Sequence, residues 1–195
     1  VSALDTADIR GNLGAVDPLV AAAIERSPVC LFGPVGCGKT MIAARLAGLL
    51  PLPSESQRLD IVAGIGAFRL WRYGEEHALC DVARPFRAPH YTVSAAGLAA
   101  EVALARHGIL FLDDIEEFRS ECLLSVMPAL MSGTAWVVVA TSDPERSVKR
   151  LDWLGIRRNV TLTRVTRDVL NDGPRWPATA QLRARVSLLA AGGGQ

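Results

Sequence analysis

The sequence predicts an α/β fold of three layers, with helices on both faces of a parallel sheet, and three observations predict it. Short apolar runs bounded by turn residues alternate with longer helical patterns. The first of these runs opens directly into a glycine-rich loop followed by a helix, which is how a buried parallel strand enters its crossover. The chain has 195 residues, half of them hydrophobic (50%) and 21% charged, which suits one compact domain and excludes a disordered one.

Val29–Phe32 is the first strand, with Ser27 and Pro28 before it and Gly33 after it. Met41–Leu50 carries apolar groups on more than one side, as a helix packed on a sheet must, and Pro51 and Pro53 end it. An alanine-rich helix is expected over Ala95–Arg106. Gly108 separates it from a second buried strand, Ile109–Leu112, which closes on Asp113 and Asp114. Ser120 is expected to cap a helix running through Leu123, Leu124 and Met127. Trp136–Ala140 forms the third strand and ends in the polar run Thr141-Ser142-Asp143-Pro144. Gly192 to Gly194 reads as a flexible tail.

Composition also limits the partners. Lys and Arg number 21 against 20 Asp and Glu, a net charge of +1, so DNA or an anionic membrane must be met by a local patch. Cys122–Ser142 contains no charged residue and is long enough to cross a bilayer. Pro128 and Ser132-Gly133-Thr134 break it into helix, turn and strand, so no membrane span is expected. The four cysteines lie far apart without a Cys-x-x-Cys pair, and no apolar leader is visible near the start. A reducing cytoplasm is the expected location.

Gly33-Pro34-Val35-Gly36-Cys37-Gly38-Lys39-Thr40 satisfies the full Gly-x-x-x-x-Gly-Lys-Thr pattern between a strand and a helix, so the core reads as a P-loop NTPase. Glycines let the backbone curl so that successive N–H groups point at phosphates, and the helix N-terminus adds a favourable dipole. Lys39 is the candidate for the β- and γ-phosphates of ATP, the Thr40 hydroxyl for Mg²⁺, and Met41 closes the binding segment. Asp113, at the C-terminal end of an apolar strand, is the candidate second Mg²⁺ ligand. Asp114 is the candidate to orient or deprotonate the attacking water, although its side chain is shorter than that of Glu by roughly 1.5 Å. Asp143, with Ser142 and Thr141, could position that water, or could simply open a Ser-Asp-Pro turn.

Four stretches resemble the AAA+ ATPases of the magnesium-chelatase type, particularly the ComM-like, competence-associated branch. They are Asp8-Ile9-Arg10-Gly11, Gly33–Ala43, Arg84–Ser94 and His107–Asp113, the third being the most specific. Thr179–Val186 resembles the first helix of that family's lid. The resemblance implies an αβα ATP-binding core over 1–165, and a shortened lid-like helix and tail over 166–195, with the helical lid largely absent. It further implies a homo-oligomeric ring, or assembly with related AAA+ subunits, and an arginine supplied in trans. In the ComM-like branch the work is ATP-driven DNA branch migration, and in the chelatase branch it is metal insertion into a porphyrin.

The departures from that pattern bear on function. Asp114 stands where the family has Glu, Asp143 where it has Asn, and Asp152-Trp153 where it has an Asp-Arg pair. Arg150, Arg157 and Arg158 are the candidates to replace the missing arginine. A Gly/Pro-rich insertion between Leu98 and Glu101 is missing. Only Thr134 and Ala135 occupy the place of a hairpin that faces DNA in related ring motors, which weakens the helicase reading. Arg84, Arg87 and His90, interleaved with Phe86 and Tyr91, form a basic cluster suited to DNA, to a neighbouring subunit, to nucleotide phosphates or to a packed loop.

Smaller features complete the reading. Cys37 is either a redox-sensitive thiol or a small residue that fits its loop. His77, His90 and His107 lack metal-ligand spacing. Trp71, Trp136, Trp153 and Trp176 read as core or interface anchors. Two alternatives to a hydrolysing motor stand beside it: an ATP-binding interaction or regulatory module of poor turnover, and a small P-loop kinase.

Overall fold

The computed structural model describes residues 5–67 and 82–192; Trp71, His77, Cys80 and the end of the glycine tail lie outside them. Five strands among the described residues form one parallel sheet: β1 Val29–Phe32, β2 Phe86–Arg87, β3 Ile109–Leu112, β4 Trp136–Thr141 and β5 Arg158–Thr161. Their order across the sheet is β2-β3-β4-β1-β5. Among the described residues nine α-helices accompany them: α1 Val16–Glu25, α2 Lys39–Leu46, α3 Glu55–Ala67, α4 Ala95–Leu104, α5 Ser120–Leu123, α6 Met127–Ser132, α7 Pro144–Trp153, α8 Arg167–Asp172 and α9 Thr179–Gly192.

The three strands read as apolar runs are buried on both faces, Phe32 at the end of β1 being half-buried, and adjacent side chains point to opposite layers. Val29, Leu31, Ile109, Phe111, Trp136 and Val138 join one cluster with Leu19 of α1, Ile42 and Leu46 of α2, and Leu182 and Val186 of α9. Cys30, Leu110, Leu112, Val137 and Val139 join the other, with Leu98 of α4, Leu123 of α5, Ala129 of α6 and Leu151 of α7. Period-two strands between two helical layers therefore give the three-layer αβα fold that the sequence predicts.

The C-terminal segment shares this core. Trp176, Leu182 and Val186 are buried with α1 and α2, and Arg183 donates to the Gly48 carbonyl at 2.8 Å. The N-terminal strip clasps it as well. Asp5 accepts from the Thr179 backbone N–H at 2.9 Å, and the Thr6 N–H donates to the Thr179 hydroxyl at 2.8 Å.

Local details differ from the expected elements in three places. The helix after the glycine loop starts at Lys39 and tightens into a 3-10 turn at Ala47–Leu49 before Pro51. Ser120 is the first residue of α5; its N-cap is Arg119, and no side chain caps it. The edge strand β5 reads Arg-Asn-Val-Thr with only Val160 buried, and β2 is two residues long, so neither carries an apolar run long enough to register in the sequence. Among the described residues no helix is long and apolar enough to cross a membrane, and Cys122–Ser142 is the helix, turn and strand expected of it.

Candidate nucleotide site

Strand order places the site. From β1 the chain runs to the far edge of the sheet and returns through β3 and β4 to lie beside β1 again, then crosses it to β5. That reversal opens a crevice at the C-terminal ends of the strands, where ligands of open α/β sheets bind. The loop after β1, the Asp113–Asp114 turn after β3, and Thr141 at the end of β4 with the Ser142–Asp143 segment that follows it all stand at this end.

The glycine loop is anchored at its base and tip. Gly33 N–H donates to the Thr141 carbonyl at 3.3 Å, and Leu162 N–H donates to the Phe32 carbonyl at 2.6 Å. Arg164 donates to the Val35 carbonyl at 3.2 Å. A side chain at Gly33 would strike the Leu162 carbonyl oxygen and come within 2.8 Å of Cys37 Sγ, so no larger residue fits there. Gly36 (φ 80°) and Gly38 (φ 97°) are left-handed, the conformation that lets the loop curl back on itself. Gly38 is also the N-cap of α2, so the loop ends on the unsatisfied amides of a helix start.

Lys39, only 8% exposed, donates through Nζ to the carbonyls of Gly33 at 2.7 Å and Pro34 at 3.3 Å. Among the described residues no carboxylate pairs with it. A buried ammonium satisfied by carbonyl dipoles alone is a cation held ready for an anion. The Thr40 hydroxyl donates to Asp113 Oδ2 at 2.6 Å, so two hard oxygen donors from different elements converge. Oxygen donors of this kind fit Mg²⁺, and the curled loop with its lysine fits a phosphate chain.

Asp114 follows in a left-handed conformation (φ 51°), starting the 3-10 turn Ile115–Glu117. Burial, reinforced by Asp113 and Glu116 and only partly relieved by Lys39, pushes its carboxyl above the ordinary carboxylate range. An acid with a raised folded-state pKa favours the fold at low pH and loses that contribution as pH rises towards the folded-state value. Asp114→Asn should therefore raise the melting temperature of nucleotide-free protein at pH 7, and the gain should disappear below the ordinary carboxylate range. Melting curves across pH 3–8 check this, and an unchanged or lowered melting temperature at pH 7 would contradict it.

Asp143 is placed differently from the acidic turn: its carboxylate accepts from Arg146 N–H at 3.1 Å and N-caps α7. Cys37 is 4% exposed. Of the candidate replacement arginines, Arg158 pairs with Glu25 at 2.6 Å and Arg150 donates to the Phe118 carbonyl at 3.3 Å, while Arg157 is exposed.

The two arginines of the basic cluster are held by the fold, whereas His90 and Tyr91 are exposed. Arg84 donates to the carbonyls of Pro51, Leu52 and His107 and to Gln57, and burial holds its guanidinium down at about 10. Arg87 makes a two-pronged bond to Glu101 at 2.6 and 2.9 Å, and His90 meets Thr92 at 2.9 Å. Sequence reasoning overlooked Arg164 and Glu116. A lone surface arginine gives no signal, and Glu116 stands out only once its burial is known.

Fold and site together define a nucleotide-binding domain of the AAA+ class. The chain belongs to the magnesium chelatase family: the family model described as magnesium chelatase, subunit ChlI, matches residues 5–143. It is 34% identical over 144 residues to the competence protein ComM of Haemophilus influenzae, covering 67% of this chain and 26% of that protein. It is 32% identical over 142 residues to YifB of Salmonella typhimurium, covering 66% and 27%. The chain thus spans about a quarter of the length of the curated relatives it matches. Among solved structures, NtrX from Brucella abortus in complex with ADP superposes with a TM-score of 0.50 at 13% identity, over 77% of this chain and 35% of that one. At that identity the likeness bears on the fold alone.

Proposed function

We propose that this domain binds Mg-ATP through Gly33–Met41 and hydrolyses it in the cytoplasm, driving the remodelling of a macromolecular partner as one subunit of a ring. The observation that carries this reading is the buried Lys39 ammonium, held by loop carbonyls beside the Thr40–Asp113 pair. Lys39 binds the β- and γ-phosphates, and the amides of the loop and of the start of α2 orient them. Thr40 and Asp113 are the residues that would hold Mg²⁺, which when bound supplies charge neutralisation at the phosphate oxygens. Asp114, its carboxyl pushed above the usual value first by burial and then by Asp113 and Glu116, accepts a proton from water or fixes the water's orientation.

The partner is read more narrowly. Arg84 and Arg87 spend their donors inside the fold, which argues against that cluster as a DNA-binding patch. Family membership favours this reading over the small kinase.

A second reading, an ATP-binding module of poor turnover, is favoured by one observation. The carboxylate of Asp143 is engaged by α7, and among the candidate arginines Arg150 and Arg158 are engaged too. An arginine supplied in trans commonly contributes about 10³–10⁵ in rate, so binding without it leaves little hydrolysis. Titration with a fluorescent ATP analogue in the presence and absence of Mg²⁺, with phosphate release followed at high protein concentration, separates the readings. Saturable Mg-dependent binding with release above the Lys39→Ala background supports the motor, and binding with equal background rates supports the module. No saturable binding by folded protein overturns both. Molar mass with and without ATP tests the ring, because a composite site couples nucleotide to assembly.

A further inference from the structure

Behind the acidic turn lies a buried chain of three polar side chains that nucleotide binding itself does not require. Glu116 is 6% exposed, Ser147 0% and Thr141 1%. Ser147 on α7 donates to Glu116 Oε2 at 3.2 Å, and its hydroxyl lies 2.6 Å from that of Thr141, the last residue of β4. A carboxylate only accepts, so donation by Ser147 to Glu116 leaves the Thr141 hydroxyl to donate to Ser147. The single Ser147 proton has a second acceptor, the Asp143 carbonyl at 2.8 Å, already served by the Ser147 backbone N–H at 3.2 Å. The hydroxyl therefore has three settings, facing Glu116, the Asp143 carbonyl or the Thr141 hydroxyl, and in the last of them Thr141 donates to the Asp143 carbonyl at 3.0 Å. Burial raises the Asp114 carboxyl and the Cys30 thiol, and Glu116 stands close enough to add to both shifts.

We propose that Glu116 is a positioning residue: through Ser147 and Thr141 it ties the Asp113–Asp114 turn to the end of β4 and to α7, so that the turn and the helix respond together when the site is filled. This rests on the nucleotide-binding reading above. It assigns Glu116 no contact with substrate. Its carboxylate acts through two hydroxyls, which in a dry interior make a stiff and directional link. The alternative is a merely structural buried cluster, whose loss would lower stability without separating turnover from binding.

The test uses the full chain with Mg-ATP for turnover and Mg with a slowly hydrolysed ATP analogue for amide hydrogen exchange. Glu116→Gln keeps the shape and an acceptor but removes the charge, and Ser147→Ala removes the relay while leaving Glu116. Each should lower kcat about ten-fold with KM within about two-fold, and the double variant should be no worse than the single ones. In the wild type the analogue should slow exchange over residues 33–41 and over α7, residues 144–153. In both variants the first effect should persist and the second be lost. Protection over 33–41 with α7 unchanged in the wild type, or an α7 response retained in the variants, overturns the link alone. No protection over 33–41 in folded wild type overturns the nucleotide reading and this proposal with it.

Discussion

Lys39→Ala should abolish measurable nucleotide binding at micromolar protein while leaving the fold intact. The ammonium is buried and is held by the carbonyls of Gly33 and Pro34, with no carboxylate paired to it among the described residues. Its removal therefore breaks no ion pair and costs the fold little, because a neutral carbonyl can turn to water more cheaply than a stranded charge can. In the bound state the balance reverses. A phosphate chain lowered onto the loop would face backbone amides alone, and loss of one buried charge partner costs about 2–5 kcal/mol, or roughly 30- to 5,000-fold in affinity. Fluorescent-nucleotide titration and thermal melting, run on the same samples, check both halves. Loss of binding together with a collapse in melting temperature would mean that Lys39 is a core group and that the site lies elsewhere. An unchanged dissociation constant would remove it from the phosphate site altogether.

What the sequence made legible follows the strength of its local signals. The loop and its lysine were readable because their spacing and glycines answer to one geometry, and the left-handed Gly36 and Gly38 meet that demand. The three central strands were readable because burial on both faces leaves continuous apolar runs. The edge strands were not, since β5 exposes Asn159 and Thr161 and takes its place from pairing with β1, a long-range term invisible in four residues. The role of α9 was equally hidden. Its likeness to a lid helix said nothing of the burial of Leu182 and Val186 in the sheet's first layer, nor of the bonds from Asp5 and Thr6 to Thr179 at its start. The Arg84–His90 cluster shows the converse limit. Sequence shows charge but not its partner, and both arginines proved to be engaged by carbonyls, Gln57 and Glu101.

Asp113→Asn should separate nucleotide binding from its dependence on Mg²⁺. The substitution is nearly isosteric, and the amide oxygen can still accept from Thr40, so the hydrogen bond at 2.6 Å that joins α2 to the end of β3 survives. What disappears is one negative charge from a turn that holds Asp113, Asp114 and Glu116 together and is balanced nearby by Lys39. Relief of that crowding should draw the Asp114 carboxyl down from its raised value, and the nucleotide-free variant should melt no lower than the wild type at pH 7. Metal affinity should move the other way, because an amide is a weaker ligand for a hard divalent cation than a carboxylate is. ATP affinity in excess EDTA should stay within about two-fold of the wild type, the gain on adding Mg²⁺ should vanish, and hydrolysis should fall about 10²–10³-fold, the loss usual when one electrostatic stabiliser of a transition state is removed. Titrations with and without metal and single-turnover phosphate release provide the three measurements. A full Mg²⁺ response in Asp113→Asn would transfer the ligand role to another carboxylate, with Asp114 the nearest in sequence. Equal loss of binding with and without metal would instead make the Thr40–Asp113 pair a structural clasp of the loop.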